Sequence, residues 1–167
     1  MSDVLTTFES SLDGLDVETT RTDGDGFAEA LDDAIREPAV GVPLGLDDVS
    51  LADTAVTVDP TAAELESART GVTPVEAGIA TYGSLAVAAD AAGSEPVSLY
   101  PERHVAVLRE EDLQADMDEA FAWLGEEFAA GRDSYVFATG ASATADMGEM
   151  VEGVHGPAEV HVVVLQS

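Results

Sequence analysis

The sequence predicts an α/β fold, a single layered domain built around a mostly parallel sheet. Three observations carry this expectation. Short apolar runs alternate with amphipathic stretches along the chain, the pattern of strand–helix units. The last run, Val160-His161-Val162-Val163-Val164-Leu165, is almost continuously apolar, as a strand covered on both faces of a parallel sheet should be. With 167 residues and 46% hydrophobic composition, the chain can bury a core and is of one-domain size.

The elements follow in order. Val4, Leu5, Phe8 and Leu12 recur at helical spacing and predict an opening amphipathic helix. A polar stretch follows, ending in Asp23-Gly24-Asp25-Gly26. It has some of the offsets of a calcium loop, but Arg21 stands where the first carboxylate would be needed, so it reads as a solvated turn. Phe27, Leu31, Ala34 and Ile35 mark the next helix, stopped by Pro38. Strands are expected at Ala39–Val42 and Thr54–Val58. Thr61 and Glu64 then have the spacing of a capping box at a helix start. Further strands are expected at Leu85–Ala89, His104–Leu108 and Ser134–Ala138, with a short turn at Ser98–Arg103. A helix over Glu111–Ala130 places Leu113, Met117, Phe121, Leu124 and Phe128 on one stripe, expected to be core, and Gly131 is expected to cap it. The end of the chain reads as a small-residue loop from Gly140, a short helix, a His-Gly-Pro turn and the closing strand. The whole chain, 1–167, is thus one domain, with 1–26 an N-terminal helix and polar loop and 27–167 the α/β body.

Charge narrows the function classes. There are 34 acidic residues against six arginines and no lysine, for a net charge of −28. A small domain ordinarily carries a magnitude of about 2–8. Because the acids are spread along the whole chain, a surface adapted to molar salt, as in an extreme halophile, is the expected meaning. A nucleic-acid mimic and a polyvalent cation buffer are the competing readings. Direct nucleic-acid binding is disfavoured by the lack of a basic patch to neutralise phosphates. With no cysteine, the chain offers no disulfide, thiolate metal site, Cys-ligated iron–sulfur cluster or Cys nucleophile. Its three histidines are too widely spaced to predict a metal site. The Met1-Ser2-Asp3-Val4 start lacks a basic, apolar leader and no run is long enough to span a membrane. A cytoplasmic protein without membrane insertion is expected.

The candidate site residues lie on the glycine-bearing loops. Gly83 and Ser84 sit between two ordered segments, where a glycine permits a positive φ or a close backbone approach. Gly140, Ser142, Thr144 and Asp146 offer hydroxyls, a carboxylate and backbone amides at an expected helix start, which could cradle a phosphate or carboxylate. The same hydroxyls could simply cap the helix. His155 and Gly156 form the following turn. His155, with an unperturbed pKa of about 6.5, could act as an acid or base, and Asp146 is the other weak catalytic candidate. His104 is expected to be a buried hydrogen-bonding residue.

Three stretches together define a resemblance: Gly78-Ile79-Ala80-Thr81-Tyr82-Gly83-Ser84-Leu85, Ser98-Leu99-Tyr100-Pro101-Glu102-Arg103-His104-Val105, and Gly140-Ala141-Ser142-Ala143-Thr144-Ala145-Asp146 through Gly153-Val154-His155-Gly156-Pro157. In them the chain resembles the lactate-utilisation (LUD) domain family, of the C-type found in bacterial and archaeal lactate-utilisation systems. The resemblance implies a fold like ribose-5-phosphate isomerase and CoA-transferases. It also implies a role in oxidising L-lactate to pyruvate beside iron–sulfur partner subunits, which would carry the clusters. The chain departs from the family pattern at Thr81, where an acid is common, and at Ala143, where an arginine is common. Two groups suited to acid–base work and anion binding are thereby missing.

Whether the chain is itself an enzyme is left open by these residues. An accessory, non-redox subunit binding a small anionic ligand or a partner through the Gly140 loop is the leading expectation. A free-standing sugar-phosphate or acyl-CoA-utilising enzyme on the same fold, or a metabolite-binding module without catalysis, are the alternatives.

Overall fold

The computed structural model describes residues 2–141, 143–146, 149–152 and 156–167. The apolar run that closes the sequence becomes β12 (Glu159–Leu165), and it is flanked on both sides. It pairs in parallel with β1 (Glu18–Thr22) on one edge and with β7 (Arg103–Arg109) on the other. Beyond β7 come β4 (Thr70–Pro74), β2 (Ala39–Gly41) and β3 (Val56–Val58), completing a six-stranded sheet in which every pairing is parallel.

Side-chain alternation assigns the two faces of this sheet. Val160, Val162 and Val164 of β12, with Ala106 and Leu108 of β7, pack against Leu5, Phe8 and Leu12 of α1 (Ser2–Gly14). Val163 and Leu165, with Val105 and Val107, pack on the opposite face against Phe27, Leu31 and Ala34 of α2 (Phe27–Ala34). The unbroken apolar run is therefore a consequence of having a core on either side. The expected spacing of α1 and α2 is confirmed by burial of these residues.

A second sheet lies on the α1 side, in the order β8 (Leu113–Gln114), β5 (Ala77–Ile79), β6 (Ser84–Ala88) and β9 (Tyr135–Thr139). It is mixed: β5–β8 is parallel, whereas β5–β6 and β6–β9 are antiparallel. Its inner face contributes Leu85, Val87 and Leu113 to the α1 core. Two short helices complete the body. In α3 (Ala62–Ser67) the Thr61 hydroxyl accepts from the Glu64 amide at 3.2 Å, as its spacing predicts. In α4 (Ser94–Leu99), Val97 packs on Val40 and Val42 of the parallel sheet.

Four expectations are corrected. The polar stretch before Gly26 contains β1, whose Glu-Thr-Thr-Arg-Thr sequence suits an edge strand. Its Asp23 side chain accepts from the Gly26 amide at 2.9 Å, making the solvated turn expected there. The long helix over 111–130 is shorter: a 3-10 turn (Glu110–Asp112) and β8 precede α5 (Met117–Ala129). Asp116 caps α5 by accepting from the Glu119 amide, and Glu119 in turn accepts from the Ala115 amide. Of the predicted stripe, Leu113 is core but lies on β8, while Met117, Phe121, Leu124 and Phe128 on α5 are not buried. Ala120 is the buried residue of α5, with the Trp123 ring tilted against Tyr135, and this leaves Phe121 63% and Phe128 51% exposed. Finally, no helix follows Gly140 at the residues that are described: β10 (Ala143–Asp146) and β11 (Glu149–Glu152) form an antiparallel hairpin.

Among the described residues no helix is long and apolar enough to cross a membrane.

Candidate functional site

A cleft that includes two of the expected residues, Gly140 and Gly156, lies between the two sheets. It encloses about 220 Å³ and is bounded by Leu85 and Val87 of β6, the run from Val136 to Ala141, Ser98 and Leu99 of α4, His104 of β7, and Gly156, Pro157 and Val160 leading into β12. Its lining is mostly apolar. Ser98 donates to the Glu95 carbonyl at 2.7 Å, and Thr139 is within 2.6 Å of the Ser84 hydroxyl. The hydroxyls at its border are thus already engaged with the protein.

His104 is the titratable side chain in this lining. It is 2% exposed, and its Nε2 lies 2.8 Å from the Thr73 hydroxyl on the neighbouring strand β4. Burial pushes its pKa down to about 4, because the charged imidazolium loses its hydration there. At neutral pH the ring is uncharged, so it supplies a hydrogen-bonding wall. The linkage sign follows: the folded pKa lies below the ordinary value, so the unfolded chain binds the extra proton as pH falls through about 6.5, and the native state weakens until about pH 4. Denaturant melts between pH 7 and 4 are expected to lose on the order of 3 kcal/mol through this group. In His104→Gln, which keeps a polar group near Thr73, the pH slope should flatten by about one proton. An unchanged slope would place the titration elsewhere.

The other expected residues separate. Gly83, at φ +67°, faces Leu12 and Leu15 at the end of α1, and Gly140, at φ +72°, meets the same Leu15. The two glycine turns lie side by side at the end of the β6–β9 pair where Ser84 is opposite Thr139, and they let the end of α1 approach it there. The Ser11 hydroxyl, donating to the Ala80 carbonyl at 2.7 Å, fixes the contact. Ser84 reaches the cleft only through Thr139. Gly140 and Gly156 line the cleft itself. Thr144 and Asp146 lie on β10, and Ser142 and His155 are outside the described residues.

Position also differs from expectation. His104 and Val160 stand at the amino ends of β7 and β12, whereas ligand crevices of open parallel sheets lie at the carboxyl ends. Gly140 ends an antiparallel strand and leads into a hairpin, so no helix N-terminus is presented there by the described residues. An anion in this cleft would meet backbone amides and a neutral imidazole, with no arginine in the lining. Sequence reasoning left out Thr139, Leu99 and Phe137. Nothing in their local pattern distinguishes a cleft wall from ordinary strand and turn.

A separate polar network ties the opposite face. Arg103, 3% exposed, donates from Nε to the Ala34 carbonyl at 2.7 Å, from Nη1 to Glu159 at 2.9 Å, and from Nη2 to His161 Nδ1 at 3.2 Å. His161 Nδ1 is then the acceptor, so Nε2 carries the proton toward the Thr20 hydroxyl at 2.8 Å. Burial, helped by the Arg103 charge, lowers the His161 pKa and keeps the ring neutral. This network joins β7, β12, β1 and the end of α2, and its role is architectural. Among the described residues no group of three or more His, Asp or Glu side chains could hold a metal ion.

The chain is thus a layered α/β domain with a parallel sheet, a smaller mixed sheet and a cleft between them. The chain belongs to the LUD domain family, whose model matches residues 6–165, and that family is associated with lactate utilisation. It is similar to the crystal structure of a DUF162 family protein from Deinococcus radiodurans, with 23% identity, 98% of this chain and 97% of that chain covered, and a TM-score of 0.70. At this identity the likeness bears on the fold, and it agrees with the single α/β domain described above. No curated protein matches the chain.

Proposed function

We propose that this chain is an accessory, non-redox component, of the C-type, in a cytoplasmic system that oxidises L-lactate to pyruvate. The observation that carries the proposal is membership of the LUD domain family over residues 6–165 in a chain with no cysteine. Lactate oxidation removes two electrons, and a chain without thiolates has no cysteine ligands for the iron–sulfur clusters that would accept them. The clusters therefore belong to partner subunits, and this chain contributes binding. The composition of the cleft supports that division, since its apolar lining and neutral His104 offer a binding wall and no paired acid and base. Its volume of about 220 Å³ is below the ~300–1,000 Å³ typical of cofactor and drug-sized sites. A small metabolite or a partner's side chain is the scale of occupant it admits. The acidic, lysine-free surface supports a salt-adapted, halophilic origin.

The test is affinity purification of the tagged chain from lactate-grown cells in molar salt. The expected result is a brown complex with iron–sulfur absorbance that reduces a dye on addition of L-lactate. A colourless, solitary protein, from cells whose growth on lactate survives deletion of the gene, would remove the proposal.

A further inference from the structure

Among the described residues β9 is an edge strand of the second sheet, paired only with β6, and the cleft runs along it. Six consecutive residues, Val136 to Ala141, line the cleft. Four of them, Val136 to Thr139, belong to β9, whose successive side chains point to opposite faces, so a cavity that touches all four reaches the strand's edge. The hydrogen-bond register gives the same answer. The Ala89 amide donates to the Ser134 carbonyl at 3.0 Å, and Tyr135 is opposite Ala88, Val136 opposite Val87 and Phe137 opposite Ala86. In an antiparallel pair, bonded and non-bonded positions alternate. Ser134, Val136 and Ala138 are therefore spent on β6, while Tyr135, Phe137 and Thr139 turn their amides and carbonyls outward.

We infer that this edge receives an extended segment of a partner protein by strand addition, with one apolar side chain of that segment seated in the cleft and its neighbour on the ring of Phe137. The inference rests on the accessory-component reading and names how the partner is held. A strand laid on β9 would bond at Tyr135, Phe137 and Thr139 and point alternate side chains to the two faces. On the inner face it meets Leu85, Leu99, Val160 and the neutral His104. On the outer face it meets Phe137, which is 42% exposed although it is large and apolar.

Charge selects the occupant. The exposed acid Asp133 lies just before β9, and the Glu127 carboxylate of α5 accepts from the Tyr135 hydroxyl at the start of the strand. The nearby Arg132 is already committed to Glu127, with contacts of 2.6 and 2.9 Å. A second copy pairing β9 to β9 would bring two chains of −28 together, at a like-charge cost. A partner segment with apolar residues at alternate positions and lysine or arginine at its flanks fits both the groove and its rim.

The test uses the full chain in molar salt with a short synthetic peptide in which valine and leucine alternate with threonine between terminal lysine pairs. Hydrogen exchange at the Phe137 and Thr139 amides is expected to slow by about tenfold or more on saturation, while Val136 and Ala138, already bonded to β6, change little. A peptide with glutamates in place of the lysines should bind more weakly. Phe137→Pro removes an outward amide, and Ala138→Met fills the cleft; each should cut peptide affinity about tenfold and release the partner in the purification above. Circular dichroism melts establish that each variant is folded, and either one alone decides the matter. No protection with the lysine peptide overturns the inference, as does an iron–sulfur complex that survives both variants, although the accessory-component assignment then stands. Dimeric mass with these amides protected in the peptide-free protein overturns it in favour of self-pairing. A wild-type chain that protects its edge with peptide yet captures no iron–sulfur protein upholds the edge and removes the accessory-component assignment.

Discussion

Transferred from molar salt to about 0.1 M, the protein is expected to lose most of its stability, with a melting temperature at least about 10 °C lower. The reason is the net charge of −28 on 167 residues. Two unit charges ~10 Å apart in water repel by about 0.4 kcal/mol without screening. Summed over many such neighbours, the repulsion reaches the ~5–15 kcal/mol that holds a whole domain together. Little of it is relieved internally, because the chain has only six arginines. Arg21, Arg69, Arg103, Arg109 and Arg132 already lie within ion-pair distance of carboxylates. Screening has to come from solution: the Debye length is about 10 Å at 0.1 M and about 3 Å at 1 M. Circular dichroism melts across a salt series check this, with sucrose at matched osmolarity as the control. A melting temperature indifferent to salt, or restored equally by sucrose, would show that the acidic surface is not what limits stability.

The fold class was legible because its strongest signals are strands and helices whose neighbours agree with their composition. β12 and β7 are apolar on both faces and read as buried strands. α1 and α2 carry their apolar residues on one side and bury them. Where a tertiary contact overrode composition, the reading failed. β4 is Thr-Gly-Val-Thr-Pro, to which no element is assigned from sequence because it lacks an apolar run, yet it is a buried strand between β7 and β2. β1 is polar because it closes an edge. The stripe on α5 looked like core because its spacing is helical, but α5 rests on the sheet through Ala120 and Trp123, on a different side of the helix. No single helix's pattern records which side the sheet will choose.

The site was legible only in part, for a related reason. The motif stretches directed attention to Gly83, Ser84, Gly140 and Gly156, and these lie along the cleft or at the glycine turns that let α1 support it. The helix start expected after Gly140 is absent among the described residues, because the chain continues into the β10–β11 hairpin. The walls supplied by Leu99, His104 and Thr139 come from three separate elements. Only the packing of the second sheet on the first brings them together.

Gly71→Ala is expected to be the most damaging single methyl group in the molecule. A Cβ at this position would lie 2.0 Å from the Val97 carbonyl oxygen and 3.0 Å from its carbonyl carbon. Both are backbone atoms of α4, so no side-chain rotation relieves the clash, and the helix as a whole would have to lift from β4. Overpacking of this kind costs ~1–3 kcal/mol where side chains can give way. With backbone on the other side, a loss of about 3 kcal/mol or more is expected in urea melts at molar salt. The effect should reach the cleft, because α4 also carries Ser98 and Leu99 at its border and Val97 in the small core with Val40 and Val42. In salt high enough to keep the variant folded, peptide binding at the β9 edge should weaken as α4 moves out. Gly125→Ala is the matched control: it lies inside α5 with nothing within 4 Å of a new Cβ. It should stabilise by about 0.5–1 kcal/mol through helix propensity and leave binding unaltered. A cost below about 1 kcal/mol for Gly71→Ala would mean that α4 is not held against β4 as closely as described, and the border of the cleft would have to be redrawn.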